Sequence, residues 1–418
     1  MMDGTKNVSR RSFLGAASAF TIVRPELVRG AGDEKLKAGL VGCGGRGTAA
    51  ADNLLTGNEN VELVAMADLF EDHLEGSLRR LKEEPRFTKS APRIKVDPEH
   101  HFVGFDAYKK LIASDLDIVM LCTPPGYRPE HFEAAVNAKK HVFCEKPIAT
   151  DPTGVRRFIA AAKKSEELKL SVVSGAQRHS DAEYVPTVQK IHEGAIGEVL
   201  ALYSRFLSGP VWHERDRKPK WGDMEYQLRN WYSFIWVCGD QMVEQHYHNI
   251  DFMNWVMGTH PVKVVASGGA AWRPREPMYG NIYDHMNSDF VYPNGVHLSS
   301  ACRQYPKGTY SAVDDFIVGT KGRSTGKDMG AKAVDPYVQE HMDLVNSILG
   351  RGPYLNQAMA VAEATMTCIM ARESAYSGIE VTWDMIMNSR QDLQPKQSGY
   401  DLNMDPVPLP VPGEYKFI

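Results

Sequence analysis

No apolar run of about 18 residues or longer occurs in the 418-residue chain, so no ordinary membrane-spanning helix is expected. Charge of one sign is not in excess either. The 48 Lys and Arg against 52 Asp and Glu leave a formal net charge of -4, which excludes the basic footprint that holds nucleic acid or an anionic membrane. Cysteine is scarce: Cys43, Cys122, Cys144, Cys238, Cys302 and Cys368 form no C-x-x-C pair, and three of them lie in apolar strand-like runs. They read as buried free thiols, not as a disulfide or zinc framework. There is no internal repeat. What remains is 43% hydrophobic and 24% charged, the composition of an ordinary globular chain with room for about two or three domains.

The first 34 residues read as an address. Ser9-Arg10-Arg11-Ser12-Phe13-Leu14-Gly15 places paired arginines before a short apolar segment, Phe13 to Val23. A basic front with a short apolar middle makes an export signal, and this spacing resembles the twin-arginine type, which carries folded proteins to the periplasm. Gly15 stands where that signal usually has lysine, and Arg29-Gly30-Ala31-Gly32 is a poor cleavage site.

The rest begins with an apolar strand, Lys37 to Val41, followed by Gly42-Cys43-Gly44-Gly45-Arg46-Gly47 and a helix-like stretch, Thr48 to Leu55. This is G-x-G-x-x-G in its working context. Gly42 permits a tight turn, Gly44 lets backbone approach a pyrophosphate, and Gly47 lets helix and strand pack closely. The helix start offers free N–H groups to phosphate oxygens. A second strand, Val61 to Ala67, ends at Asp68. A carboxylate there accepts hydrogen bonds from ribose hydroxyls and repels a 2′-phosphate, so NAD is expected; Arg46 and Arg79 leave room for NADP. Strand and helix patterns then alternate through Cys144, which implies a doubly wound parallel sheet with its ligand at the carboxyl ends of the strands. Gly45, Thr123, Pro124 and the residues just after Cys144 should border the cofactor.

Those residues are Glu145-Lys146-Pro147. A lysine facing the crevice can hydrogen-bond a substrate hydroxyl and stabilise charge on its oxygen. With V-G-C-G-G-R-G, the T-P-P that places His131 eight residues past Thr123, and H-V-F-C-E-K-P, the chain resembles the Gfo/Idh/MocA oxidoreductases. The resemblance runs from about Lys35 to Ser389. It implies that Lys146 is catalytic, that His131 and Glu145 border the cofactor, and that the second half carries an acid–histidine–acid pattern on a helix. His248 matches the histidine, Asp251 the last acid, and Glu244 the first, with Glu in place of the family's Asp. Positions 244, 248 and 251 share one helical face, so a carboxylate one turn before the imidazole could orient it and raise its basicity. His246 and His248, two apart on a helix, point opposite ways, so no metal site is expected.

The domain boundaries expected are 35–152 for a nucleotide-binding unit and 153–390 for an α/β substrate and oligomer unit with a large open, mostly antiparallel sheet. Residues 391–418 form an extended proline-rich tail, lying on a neighbouring subunit or without order. Arg178, Tyr184, Arg229, Trp231 and Asp251 are substrate-side candidates, with His213 and Arg217 weaker ones; aromatic faces among polar groups suit sugar rings. The resemblance implies a homodimer or homotetramer. The chemistry expected is hydride transfer at a carbinol carbon of a sugar, glycoside or polyol. Lys146 would polarise the oxygen, His248 take the proton and Glu244 orient the pair. Export would demand a tightly retained cofactor. A redox-neutral NAD-using glycosidase and a non-catalytic dinucleotide sensor are the rival classes.

Overall fold

The computed structural model describes residues 35–211, 216–405 and 407–418; the leader and His213 lie outside the described residues. The first domain opens with β1 (Leu36–Val41), α1 (Gly45–Gly57) and β2 (Val61–Asp68), the two strands pairing in parallel. After α2 (Glu71–Glu83), β3 (His101–Val103) adds outside β2. Then α3 (Ala107–Ile112) leads to β4 (Ile118–Leu121) on the opposite flank of β1, and α4 (Arg128–Asn137) to β5 (His141–Cys144). The helix α5 (Pro152–Glu167) carries the chain to β6 (Val172–Ser174), giving the order β3-β2-β1-β4-β5-β6. The sheet therefore runs past the expected boundary at residue 152. Asp151 accepts from the Gly154 amide at 2.7 Å and starts a helix there, and that helix is a crossover returning to the sheet.

Both faces of this sheet are covered, as all-parallel strands require. Ile118, Met120 and Phe143 point to one face, against Ala50, Ala51 and Leu54 of α1. Val119, Leu121 and Val142 point to the other, against Phe132 of α4 and Phe158 of α5. Leu344 and Val345 of a distant helix also cover the first face.

The second domain begins with α6 (Tyr184–His192) and β7 (Val199–Ser208). Four short helices follow: α7 (Asp223–Arg229), α8 (Ile235–Cys238), α9 (Gln241–Glu244) and α10 (Tyr247–Met257). Then come β8 (Lys263–Gly269), β9 (His285–Val291), β10 (His297–Gln304), β11 (Ala312–Gly319) and β12 (Arg323–Ser324). The distant helix noted above is α11 (Pro336–Ile348); α12 (Ala358–Ser377), β13 (Val381–Thr382) and α13 (Trp383–Asn388) complete the elements. The seven strands order as β12-β11-β7-β10-β9-β8-β13, antiparallel except for the β7–β10 pair. Leu202, Val264, Phe290, Leu298 and Ile317 face inward, onto a core shared with α10 and α12. Tyr203, Val265, Phe316 and Val318 face out and are exposed, and among the described residues nothing covers that side of the sheet.

The tail packs on its own fold. Leu409, Tyr415 and Phe417 rest against the core, Tyr283 donates to the Pro410 carbonyl at 2.8 Å, and Tyr415 donates to Glu373 at 2.8 Å. No helix among the described residues is long and apolar enough to cross a membrane.

Candidate active site

A cavity of about 470 Å³ lies at the carboxyl ends of the parallel strands, between them and the helices of the second domain. Gly42, Gly44, Gly45, Arg46, Gly47, Asp68, Thr123, Pro124, His131 and Glu145 all line it. So do Lys146, Glu244, His248 and Trp231.

The glycine turn fits a dinucleotide. Gly42 has φ +98°, and a Cβ there would stand 2.5 Å from the Thr123 amide nitrogen. A Cβ on Gly47 would lie 1.9 Å from the Gly42 carbonyl, so helix and strand meet here with no room to spare. Gly44 and Gly45 face open space: among the described residues nothing beyond their own stretch of chain lies within 4 Å of where a Cβ would stand. Among the described residues no side chain caps α1, and no acid sits in its first turn, which leaves its amides for an anion. Asp68 is held at the end of β2 by the amides of Cys43 at 2.6 Å and Phe70 at 2.8 Å. These bonds occupy one side of each carboxylate oxygen and leave acceptor capacity for ribose hydroxyls. Arg46 is engaged within the cavity wall, its Nε 3.0 Å from Glu145 Oε1 and its guanidinium 5.0 Å from the Tyr337 ring centre. His131 stacks on Tyr108 at 4.0 Å and meets Thr123 Oγ1 at 3.2 Å. Burial first, then the cations Arg128, Arg157 and Lys109, push its pKa down to about 3.

Lys146 enters from the end of β5, followed by a cis peptide to Pro147, whose carbonyl accepts from the buried Arg128. Its Nζ donates to the Glu244 carbonyl at 2.6 Å and lies 3.3 Å from Glu244 Oε1. The second carboxylate oxygen of Glu244 is buried without a partner among the described residues. Burial raises the Glu244 carboxyl, against the pull of Lys146 and Arg128. His248 sits across the same cavity. Burial lowers it well below the ordinary histidine range, and Lys146 and Arg178 lower it further, so its ring is neutral and able to accept a proton.

The single helix expected over these residues is two. After Glu244 the chain steps through Gln245 and His246, and α10 starts afresh at Tyr247. The His246 amide reaches back to the Gln241 carbonyl at 3.1 Å, five residues away, and its ring meets Ser300 Oγ at 2.6 Å. The break turns Glu244 toward Lys146 instead of His248. Asp240 anchors the start of α9 at φ +82°, a region that favours glycine. Its carboxylate accepts from the Gln241 and Tyr283 amides and the Tyr376 hydroxyl, which over-determine that conformation.

Four substrate-side candidates do not line the cavity. Arg178 is buried against Asp315 at 2.9 Å, under the ring of Tyr184. Ser204 and Asn249 complete that network on Asp315. Asp251 accepts from Tyr247 and pairs with His179 at 2.9 Å. Burial alone would lower His179, but the Asp251 carboxylate overrides it and holds the ring above its ordinary range. Arg229 is bound to Asp72 and Glu225. Sequence reasoning missed Tyr127 and Gln245, which do line the cavity, as does Tyr232 beside Trp231. The signal for Gln245 was its place beside Glu244, hidden by the assumption of one unbroken helix.

Residues 36–173 match the model of an oxidoreductase family with an NAD-binding Rossmann fold, and residues 187–325 match the GFO/IDH/MocA C-terminal domain. Myo-inositol 2-dehydrogenase of Thermotoga maritima is 26% identical over 235 residues, 56% of this chain and 58% of that one. A 2,7-anhydro-N-acetylneuraminate hydratase of Escherichia coli is 26% identical over 196 residues, 46% of this chain and 47% of that one. The matched stretch thus spans only about half the length of these curated relatives. Among solved structures, scyllo-inositol dehydrogenase from Lactobacillus casei with bound NAD(H) and scyllo-inositol superposes with a TM-score of 0.65 at 20% identity. That likeness covers 84% of this chain and 99% of the other, and it shows the shared fold. The two family models follow one another along the chain and together take in about two thirds of it, and their junction falls where the parallel sheet gives way to the open one. The chain belongs to the GFO/IDH/MocA oxidoreductase family, with an NAD-binding Rossmann domain at its front.

Proposed function

We propose that the protein is an NAD-dependent dehydrogenase acting at a carbinol carbon of a sugar or polyol. The observation that carries this is the meeting of Lys146 and Glu244 in one cavity with the glycine turn and His248. Bound NAD would supply the hydride-accepting chemistry. The chain's own residues handle the oxygen and its proton. Lys146 presents an ammonium to the substrate hydroxyl and stabilises charge growing on it. His248, neutral and at the cavity wall, accepts the proton. Glu244 holds Lys146 in place. Trp231 and Tyr232 offer aromatic faces to a ring's C–H side. The relative named for inositol supports a polyol substrate.

The leader supports export to the periplasm with the cofactor already seated, and so a retained cofactor. The exposed apolar side of the second sheet supports a homo-oligomer in which another copy covers it. Asp68 and the engagement of Arg46 with Glu145 favour NAD over NADP. A redox-neutral reading has one observation in its favour, the relative named as a hydratase. One experiment separates the two. Purified protein is offered a panel of polyols, free sugars and glycosides, with absorbance of reduced nicotinamide and release of free sugar read together. Nicotinamide reduction by a polyol or sugar supports the dehydrogenase; sugar release without net reduction supports the redox-neutral reading. Bound nucleotide with neither signal would reject both.

A further inference from the structure

A third apolar cluster lies apart from the two main cores, where the first domain, α7 and the tail meet. Phe70 from the loop after β2 packs with Met224 and Leu228 of α7, and Leu402 and Met404 of the tail close over them. Polar contacts tie the same parts. The Tyr400 hydroxyl donates to the Leu69 carbonyl at 2.5 Å. Arg229 donates to Asp72 at 3.1 Å, its guanidinium 3.9 Å from the Phe70 ring centre. The tail in turn grips α7: the Met224 amide donates to the Leu402 carbonyl at 3.1 Å, and the Met404 amide to Asp223 at 3.0 Å. Gly222 is needed there, since a Cβ would stand 2.5 Å from the Tyr400 carbonyl.

The position of this assembly gives it a consequence. Leu69, Phe70 and Leu228 are walls of the cavity, next to Asp68. Two of them belong to the nucleotide-binding domain and one to α7, so the cavity's Asp68 end is walled from both sides. Parting them breaks the Arg229–Asp72 ion pair and the Tyr400–Leu69 hydrogen bond.

We propose that α7 and tail residues 399–404 form a clasp over the adenosine end of the bound dinucleotide, and that Arg229 and Tyr400 set how slowly it leaves. This rests on the dinucleotide reading of the cavity. Arg229 and Tyr400 act here as positioning residues, through the walls and not through the reacting atoms.

The test loads the full chain with NADH and follows its release by fluorescence after an excess of NAD is added. Wild type is compared with Tyr400→Phe, Arg229→Gln and Asp72→Asn, with a melting curve for each. The loss of one tie should speed release by about three- to tenfold, the range one hydrogen bond sets. Asp72→Asn loses only the pair with Arg229, while Arg229→Gln also loses Glu225 and the Phe70 ring, so Asp72→Asn should speed release no more than Arg229→Gln does. A purely structural contact would lower the melting temperature and leave the release rate alone. Release within about twofold of wild type in all three variants overturns the clasp. Tyr400→Phe loses a single hydroxyl and decides the matter alone if the charge variants do not fold. A wild-type protein that takes up no NADH overturns the dinucleotide reading, and the clasp with it.

Discussion

Lys146 and Glu244 lie 98 residues apart in the chain and meet at 2.6 Å from ammonium to carbonyl oxygen, each side chain about one-tenth exposed. The contact joins the end of a parallel strand to the end of a four-residue helix, so the site exists only when both domains are docked. Lys146→Ala should keep its nucleotide and lose turnover by about 10²–10³-fold, the loss typical of one preorganised donor. Nucleotide content by absorbance and steady-state rates on the same sample check this; unchanged rates would remove Lys146 from the chemistry.

His248 gives a pH prediction. Its pKa is lowered, so the ring remains an acceptor at pH values where an ordinary histidine is already protonated. The acid limb of the rate profile should therefore fall below about pH 6.5. His248→Ala should cost about 10²–10⁴-fold and abolish that limb. A wild-type limb above pH 7 would exclude His248 as the base.

The glycines of the turn should divide. Gly47→Ala drives a Cβ into the Gly42 carbonyl and should destabilise the fold by about 1–3 kcal/mol. Gly44 has φ -70°, which any residue accepts, and open space beyond it. Gly44→Ala should leave stability within about 0.5 kcal/mol and weaken NADH binding, because its methyl fills space meant for ligand. Denaturant midpoints set beside NADH titrations test both.

Arg178 should behave as a structural residue. Removing it strands the buried Asp315 carboxylate, so Arg178→Ala should lose about 3–5 kcal/mol of stability. The folded fraction should keep its KM. A raised KM at unchanged stability would return Arg178 to the substrate.

Acid should unfold the protein through its buried histidines. His131, His246 and His341 are each held near pKa 3, chiefly by burial, against about 6.5 in the unfolded chain. The unfolded state therefore binds more protons between those values, and stability falls as pH drops below about 6.5. For one such group the loss is about 3 kcal/mol by pH 4.5. His246→Gln should flatten the fall in urea midpoint over that range; an unchanged slope would clear His246.

The nucleotide half was legible because its signals are local. Apolar runs, a glycine turn and an acid at the next strand's end each need only neighbours in sequence. The second half hid its signals in distant contacts. The strand Ala312–Gly319 is hard to read because the acid Asp315 faces inward while the aromatic Phe316 faces out, which reverses the usual alternation. The Asp315 partners Arg178, Ser204 and Asn249, all far away in sequence, make that tolerable. The break after Glu244 carries no glycine or proline to announce it. It is fixed by the Ser300 contact to His246 and the strained Asp240. The partner of Asp251 was unreadable for the same reason: His179 arrives from the far end of β6.

The parallel pairing of β7 with β10 in the second sheet bears on how the chain is made. β7 sits between β10 and β11, and both are encoded well after it. At about 5–20 residues per second, a ribosome leaves β7 without edge partners for several seconds. During that interval Leu202 and Tyr203 are open to solvent on a bare strand, after the nucleotide half can already have closed. Yield in a foreign host should accordingly depend on chaperone supply during the second half of synthesis, and truncation before residue 319 should leave an insoluble product.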